Sequence, residues 1–353
     1  MSRLLPSLTG APRVIATGAL LTLVAIGGTF LLDPYRNFQL ATIAAYFCAA
    51  AGLTLLIGLS GQLSLGQAAL MATGGYGYAL AANALTAAGI GGAPRFLIGL
   101  AAAIAASGAL GLLLGLAGAR LKGPYLAGVT LALVIALPAI TAVLSGVFRG
   151  DQGLQIAFEA VPAALEQLIA VEQWQAWVAI LVTGVVITAL AALRRGRLGL
   201  QMRAVRDDET AARLSGVPAA RVKVSAFVVS SVAAGAGGAV LCFVTQSVSP
   251  GAYTLAFSLL LVVAVVVGGL GSIGGAAFGS TLIVLLPWLI ATATSALDLP
   301  ADLAQRLAGN VAVLIFGVLL IAVMIAWPGG LASLRMRRRR RADAAPVLQS
   351  TIE

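Results

Sequence analysis

Residues 194–223 read RRGRLGLQMRAVRDDETAARLSGVPAARVK and form the only long charged run between apolar segments of this 353-residue chain. The run contains eight basic and three acidic residues, a net charge of +5, and strongly apolar sequence lies on both sides of it. In a membrane protein such a segment must lie in water, and its excess of arginine places it on the cytoplasmic side. The orientation of the other segments can be worked out from this loop.

The composition of the chain is that of a membrane protein. Hydrophobic residues make up 60% of it and charged residues 10%, whereas soluble domains carry about 25% charged residues. A helix needs about 20 apolar residues to cross the roughly 30 Å hydrocarbon layer, and helices satisfy their own backbone groups in lipid. We therefore predict an all-α, polytopic integral membrane protein.

The apolar segments predict about ten transmembrane helices. They are at 14–32, 39–58, 64–88, 95–118, 124–145, 174–193, 224–246, 253–270, 274–292 and 309–327. The glycine-rich link GGLGSIGG follows the eighth segment, so the eighth or the ninth could be re-entrant. With both termini in the cytoplasm, 18 of the 22 basic residues and five acids lie inside, and four basic and seven acidic residues lie outside. This split obeys the positive-inside rule.

The predicted domain organisation follows from these spans. Residues 1–334 form one transmembrane domain, with the cytoplasmic loop at 194–223 and an outer loop at 146–173. The first span follows Arg3 and Arg13 and is interpreted as a retained anchor. Residues 335–353 form a basic tail that begins RMRRRRR. We expect the tail to be disordered and to anchor the chain on anionic lipid, and partner docking is the alternative.

The sequence argues against several kinds of chemistry. It contains no histidine, and its two cysteines, Cys48 and Cys242, lie singly in apolar segments, so we expect no catalytic, metal or cofactor site. No GxxxxGK[ST] motif is present, and no charged residue lies deep inside a predicted span. The net charge of +10 sits at the ends of spans, which indicates contact with lipid and not with nucleic acid. The energy for any transport would come from outside the chain.

Within the central loop the sequence predicts a two-turn helix at about 208–215. Asp208 and Glu209 suit the start of a helix, and Glu209 can pair with Arg213 one turn later. Gly216 provides a C-terminal cap. Ala211, Ala212 and Leu214 give this helix a small, partly apolar surface that fits a groove. The alternative is a solvated linker helix without a partner.

A second polar segment, LSGQLSLGQAALMATGGYGYALAANAL, occupies residues 59–85. Gln62, Ser64 and Gln67 precede an apolar stretch that contains Tyr76. Polar side chains at membrane depth need partners or a water-filled cavity, so these four residues are candidates for lining a transport pathway. The alternative is a tightly packed helix with satisfied amides. Farther along, Gly271, Gly275 and Gly279 are spaced by four and predict a helix-packing face.

Four stretches of this sequence resemble the permease subunits of bacterial ATP-binding-cassette importers for branched-chain amino acids, specifically the larger of the two paired permeases. They are LSGQLSLGQAAL (59–70), LKGPYLAGVTLAL (121–133), RAVRDDETAARLSGVPAARVKVSAFVVS (203–230) and VVGGLGSIGGAAFGS (266–280). The resemblance covers about residues 40–330. Leu70 stands where the family usually has an aromatic residue.

This resemblance implies a role for the loop and a set of partners. Glu209, Ala211, Ala212, Gly216 and Lys223 fall at positions that match the family's pattern. Residues 208–216 would be the coupling helix, and Asp208, Glu209, Ala211, Ala212 and Gly216 would couple the chain to an ATPase subunit. Two cytoplasmic ATPase subunits would use ATP, and a second, homologous permease and a periplasmic solute-binding protein would complete the importer. The chain would lie in the bacterial inner membrane.

Alternative functions remain open at this stage. A permease of the same type could carry urea, short amides or a sugar, because selection is shared with a separate binding protein. A stand-alone ion-coupled carrier, or an integral-membrane enzyme or flippase component, would need charged groups at membrane depth that the sequence lacks. The sequence identifies neither the solute nor whether the paired permease is a different chain.

Overall fold

The structure, a computed structural model, is a bundle of α-helices. It describes residues 11–120, 124–158, 161–162, 165, 167–295, 314, 317–318 and 321–322. In this part of the chain almost all regular structure is helical, which confirms the prediction of an all-α, polytopic membrane protein. The basic tail at 335–353 lies outside the described residues.

The helices are numbered in chain order. They are α1 (Ala11–Gly28), α2 (Pro34–Ser60), α3 (Gln67–Ala87), α4 (Gly92–Arg120), α5 (Pro124–Val143), α6 (Ser145–Phe148), α7 (Val171–Arg195), α8 (Arg197–Asp207), α9 (Glu209–Leu214), α10 (Ala219–Thr245), α11 (Leu255–Gly268) and α12 (Ile273–Ser295). Short 3-10 turns occupy Thr29–Leu31, Gly150–Gln152 and Pro250–Ala252. Two short strands, β1 (Leu154–Gln155) and β2 (Ser247–Val248), pair in antiparallel fashion.

The first nine predicted spans coincide with α1–α5, α7 and α10–α12. Most of the tenth, 309–327, lies outside the described residues, and the five of its residues that are described are helical. Among the described helical segments, seven are long and apolar enough to cross a membrane, namely those of α1, α2, α4, α5, α7, α10 and α11. The ten-span count and the cytoplasmic termini stay predictions.

Local signals set the ends of α2. Pro34 occupies its first turn, where the missing N–H leaves no hydrogen bond unmade. Gly61 ends the helix in a left-handed conformation with φ of 70°, which glycine adopts without strain. Between these residues the sequence is apolar, and most of its C-terminal two thirds is buried.

The central helix is α10, which packs against α2, α3, α4 and α7. Its middle, AAGAGGAVLC at 233–242, consists mainly of small residues. A Cβ atom added at Gly238 would collide with the carbonyl oxygen of Met71, and one added at Gly74 would collide with the backbone of Gly235. Glycine therefore lets α3 and α10 cross with their backbones in contact, as small residues do in membrane helix pairs.

The predicted glycine face of α12 is confirmed at two of its three positions. A Cβ atom at Gly275 would collide with the backbone of Gly268 on α11, and one at Gly279 would collide with that of Ala264. The placement of Gly271 on the same helical face is wrong. Because α12 begins only at Ile273, Gly271 lies in the preceding turn with φ of 76° and packs against Gly58.

Candidate functional site

The charged loop folds into a two-helix unit, which we call the arm, comprising α8 and α9 (residues 197–214). The sequence predicted only the second of these helices. The first was missed because its charge resembles that of a loop, although Gly199, Met202 and Val205 recur every three residues and are buried on one face. That spacing was the signal that could have found it.

The predicted helix at 208–215 is present as α9, with a cap at each end. The Asp208 carboxylate accepts hydrogen bonds from the backbone N–H groups of Thr210 (2.8 Å) and Ala211 (3.0 Å). At the other end Gly216 has φ of 82°, and the N–H of Val217 donates to the carbonyl of Ala212 at 2.9 Å. This is the Schellman arrangement that ends many helices at a glycine.

Polar contacts attach the arm to three helices of the bundle, and one of them is the hydrogen bond that Arg203 on α8 donates to the carbonyl of Arg194 on α7 at 3.5 Å. The Lys223 ammonium at the start of α10 donates to the Glu209 carboxylate at 2.7 Å, and Glu209 also pairs with Arg213, as predicted. This hydrogen bond from Lys223 holds the pKa of Glu209 below its usual value, although partial burial opposes the shift. Arg206 on α8 donates to the carbonyl of Gly58 near the end of α2. A force on α9 therefore reaches both α10 and α2.

The residues predicted to face a partner take different positions on α9. Ala211 is exposed, as are Asp208 and Gly216. Leu214 is 85% exposed, an unusual position for a leucine on a water-facing loop. Ala212, in contrast, is buried within the chain. The exposed apolar side chains of α9 are thus Ala211 and Leu214, and Thr210 and Arg213 are exposed with them.

The second candidate site lies where α3 begins. Gln67, its first residue, donates from Nε2 to the carbonyl of Ala49 at 2.8 Å, and Ala49 is the sixteenth of the 27 residues of α2. One turn later the carbonyl of Leu70 accepts from Ser107 at 3.1 Å, and Ser107 is the sixteenth of the 29 residues of α4. At 1.5 Å per residue both partners lie roughly 20 Å from either end of their helices. The N-terminus of α3 is therefore level with the middle of the bundle.

Non-helical chain at 61–66 fills the space below this N-terminus. Gln62 donates from Nε2 to the carbonyl of Lys223 at 3.2 Å, close to the start of α10. The N–H of Leu65 donates to the Thr130 hydroxyl on α5 at 3.0 Å. Non-helical backbone at membrane depth is tolerated where protein surrounds it, and these contacts supply such surroundings.

Helix α11 begins at the same level as α3. The hydroxyl of Ser258, in its first turn, donates to the carbonyl of Leu65 and accepts from the N–H of Ala68 at 3.4 Å. Beyond its other end, the N–H of Gly271 donates to Thr54 near the end of α2. Its 14 residues extend about 21 Å. The helix α11 itself is therefore about half as long as the bundle helices and begins near their middle, whereas the apolar segment that contains it, Pro250–Gly268, is long enough to cross a membrane.

We call residues 61–68 and 254–258 the helix junction. Three of the predicted pathway residues, Gln62, Ser64 and Gln67, lie in it, and all three are buried. Both glutamine Nε2 groups have acceptors, but neither Oε1 atom has a hydrogen-bond partner among the described residues. Each glutamine side chain therefore has a partner for its N–H group but none for its oxygen. This geometry fits neither a pathway-lining helix nor a tightly packed helix with satisfied amides completely. The pathway role stays a prediction.

Tyr76 lies apart from the other three. It is nine residues beyond Gln67, which places it on the opposite side of α3 at 100° per residue. Its ring packs edge-on against Phe148 with centroids 5.1 Å apart, and its buried hydroxyl has no hydrogen-bond partner among the described residues. Nearby, Tyr253 and Tyr46 both pack against Phe257, the residue before Ser258. An aromatic cluster therefore borders the junction.

Sequence reasoning missed Thr130 and Ser258, two hydroxyl residues that complete the junction. Each is a polar residue with apolar neighbours on both sides, which was their signal, but nothing local connects either one to Leu65. In the part of the chain that the structure describes, no group of three or more potential metal-ligating side chains occurs. Cys48 and Cys242 are free and buried.

Comparison with known proteins gives consistent results. A family model described as "Branched-chain amino acid transport system / permease component" matches residues 35–324. The chain is 29% identical over 274 residues to the high-affinity branched-chain amino acid transport system permease protein LivM of Salmonella typhimurium, and 28% identical over 274 residues to that of Escherichia coli. Each alignment covers 71% of this chain but 63% of the relative, less than two thirds of its length. No solved structure matches the chain significantly.

Proposed function

Because this chain belongs to the family of permease components of branched-chain amino acid transport systems, we propose that it is the permease subunit of an ATP-binding-cassette importer. In this role it forms part of the path by which branched-chain amino acids cross the membrane. Separate ATPase subunits hydrolyse the ATP, and the chain itself carries out no catalysis and binds no cofactor.

The observation that carries the proposal is the arm. It presents a short helix with a cap at each end, and the outer face of that helix bears an exposed leucine, Leu214. The same helix is joined through Glu209 and Lys223 to α10, the helix at the centre of the bundle. A rigid, exposed helix with a direct connection to the central helix is suited to transmit the movement of an ATPase. Asp208, Glu209, Ala211, Ala212 and Gly216 form or support this coupling element.

The proposal includes four kinds of partner. Two cytoplasmic ATPase subunits dock on the arms of two permeases, this chain and a second homologous one. A periplasmic binding protein delivers the solute, and lipid of the bacterial inner membrane surrounds the helices. Gln62, Ser64, Gln67 and Tyr76 contribute to the solute path.

The docking part of the proposal is tested by co-purification. Leu214→Glu places a charge on the exposed face of α9, and we expect at least a tenfold loss of ATPase subunits that co-purify with the permease pair. Leu200→Glu is the matched control, because Leu200 is also an exposed leucine of the arm but lies on α8. Equal recovery of ATPase with both variants would contradict docking through α9.

The solute is tested by uptake. The complete transporter is reconstituted in vesicles with its binding protein, and ATP-dependent uptake of radiolabelled leucine is measured in competition with isoleucine, valine, urea, acetamide and glucose. We expect competition by the first two solutes alone. Uptake of one of the other three, without leucine uptake, would change the solute class but keep the importer. Uptake by the purified chain alone would instead show a stand-alone carrier.

A further inference from the structure

Two helices start at the helix junction and run in opposite directions. From the centre of the bundle, α3 runs toward the side of the bundle on which α2 begins. Helix α11 runs toward the opposite side, on which α2 ends. A helix N-terminus carries roughly half a positive charge and N–H groups that point outward. The junction therefore brings two positive helix ends together at mid-depth. Discontinuous helices of transporters bind anionic groups in this way.

A buried acceptor lies in the same place. Gln67, the first residue of α3, is fully buried, and its Oε1 atom has no hydrogen-bond partner among the described residues. A buried carbonyl oxygen without a hydrogen-bond donor is unfavourable, so a donor on a bound molecule would stabilise it. At these helix ends the N–H groups of Ala68 and Phe257 donate to the hydroxyls of Ser258 and Thr254, which an anion can replace as acceptors. The carbonyl oxygen of Gln67, at the start of α3, is available to a cation.

The charge of the surrounding chain restricts the ligand further. No charged residue occurs between Arg36 and Arg95 or between Lys223 and Asp298. A molecule with a net charge would therefore lack a counter-ion on the segments that form the junction. A molecule with one positive and one negative group and no net charge meets both the helix ends and the carbonyl.

We propose that the helix junction binds the zwitterionic backbone of an α-amino acid, with the carboxylate at the N-termini of α3 and α11 and the ammonium at Gln67 Oε1. This inference rests on the proposed transport function and assigns the solute site within it. In the present conformation the Ser258 hydroxyl accepts from the N–H of Ala68. A bound solute carboxylate accepts from that N–H group in place of the Ser258 hydroxyl.

The first test replaces the solute carboxylate by one on the protein. Ser258→Asp puts a carboxylate at the two helix ends, and Ser258→Asn is the neutral variant of the same shape. The comparison pair is Ser280→Asp and Ser280→Asn, since Ser280 is equally buried but bonds only to its own helix, at Ala277. Assembly of the purified complex of permeases and ATPase subunits is measured by size-exclusion chromatography.

We expect the yield of assembled complex for Ser258→Asp to be within about twofold of that for Ser258→Asn, because the helix ends stabilise the charge. For Ser280→Asp we expect a yield at least tenfold lower than for Ser280→Asn. Binding of radiolabelled leucine to the complex without binding protein should fall at least tenfold in Ser258→Asp relative to Ser258→Asn. Loss of assembly in Ser258→Asp comparable to that in Ser280→Asp would overturn the proposal. So would undiminished leucine binding by an assembled Ser258→Asp complex.

The second test removes one charged group from the ligand at a time. For the unmodified complex we expect 3-methylbutylamine, which lacks the carboxylate, and 4-methylpentanoate, which lacks the ammonium, each to compete with leucine at least tenfold more weakly than leucine itself. In Gln67→Leu the preference for leucine over 4-methylpentanoate should fall about fivefold, because the ammonium of leucine loses its acceptor. The preference for leucine over 3-methylbutylamine should stay the same, because both molecules carry an ammonium. An unchanged pair of preferences would refute the role of Gln67. If the complete transporter takes up none of the tested solutes, the proposed function fails; if it takes up another of them but no leucine, the importer stands and this inference alone fails.

Discussion

The arm and the helix junction are both polar regions of an apolar protein, but they are stabilised in different ways. In the arm the side chains of Asp208 and Glu209 find partners within 14 positions along the chain. In the junction the backbone of Leu65 depends on Thr130 and Ser258, which are 65 and 193 positions away. The arm is therefore specified by local sequence, whereas the junction forms only when distant helices pack around it.

The largest effect is expected at Gly58, near the end of α2, which contacts both the arm and the turn between α11 and α12. Its carbonyl accepts from Arg206 of the arm, and a Cβ atom on it would collide with the backbone of Gly271. Gly58→Ala should lower the stability of the folded chain by about 3 kcal/mol, because backbone atoms cannot move aside as a side chain can. The measurement is thermal unfolding in detergent.

Gly128→Ala is the control for that substitution. Gly128 lies on α5, and a Cβ atom there meets no other atom. Its unfolding temperature should stay at or above that of the unmodified protein, since alanine favours helix more than glycine does. Equal unfolding temperatures for the two variants would show that the α2 end is not tightly packed and would remove the contrast with the arm.

A smaller effect is expected for the ion pair that fixes the arm. Glu209 and Lys223 are mostly shielded from solvent, so their coupling should be about 1.5 kcal/mol, between exposed and buried pairs. A double-mutant cycle of Glu209→Gln and Lys223→Met, read by hydrogen exchange of the α9 amides, should give about a tenfold coupling factor. Arg213→Gln, which removes the more exposed ion-pair partner of Glu209, should change the hydrogen-exchange rates of the α9 amides much less. Additive effects of the first two substitutions would show that the arm is held by other contacts.

The cap of α9 should contribute about 1 kcal/mol. Asp208→Ala leaves the N–H groups of Thr210 and Ala211 without their side-chain acceptor, a loss of this size at a helix N-terminus. Exchange of the α9 amides should become about fivefold faster, whereas Asp208→Asn, which keeps an acceptor oxygen, should stay near the unmodified rate. No change in Asp208→Ala would mean that tertiary contacts alone form the helix, as they do at the junction.

The smallest effect is a dependence on pH. The pKa of Glu209 is lowered in the folded arm by its hydrogen bond with Lys223. Its stabilising contribution is therefore complete above the ordinary glutamate value of about 4.3 and is lost as the pH falls through the lowered pKa. A spin label on Leu214→Cys should become more mobile in that acidic range. The same label with Glu209→Gln should show no such transition, and a transition that persists would assign it to another group.

The same contrast explains what could be predicted from the sequence. The positions of nine helices followed from apolar segments, and α9 followed from Asp208, Glu209 and Gly216, because these signals act over a few residues. The level at which α3 and α11 begin did not follow, since no local pattern distinguishes a helix that starts at the bundle centre from one that starts at its edge. Gln62, Ser64 and Gln67 were identified as polar residues in an apolar region, but Lys223 and Ala49, which accept from the two glutamines, lie on other helices.

The long separation between Leu65 and its partners also has a consequence for synthesis. Thr130 and Ser258 leave the ribosome well after Leu65, and α10, whose glycines contact α3, is made between them. Until then the N–H and carbonyl groups of Leu65 lack these partners, and leaving them unsatisfied in lipid would cost several kcal/mol each. The segment around Leu65 must therefore stay hydrated, or in contact with the insertion machinery, while almost 200 further residues are translated. The order of translation thus requires α2 and α3 to enter the bundle late, although they are among the first helices made.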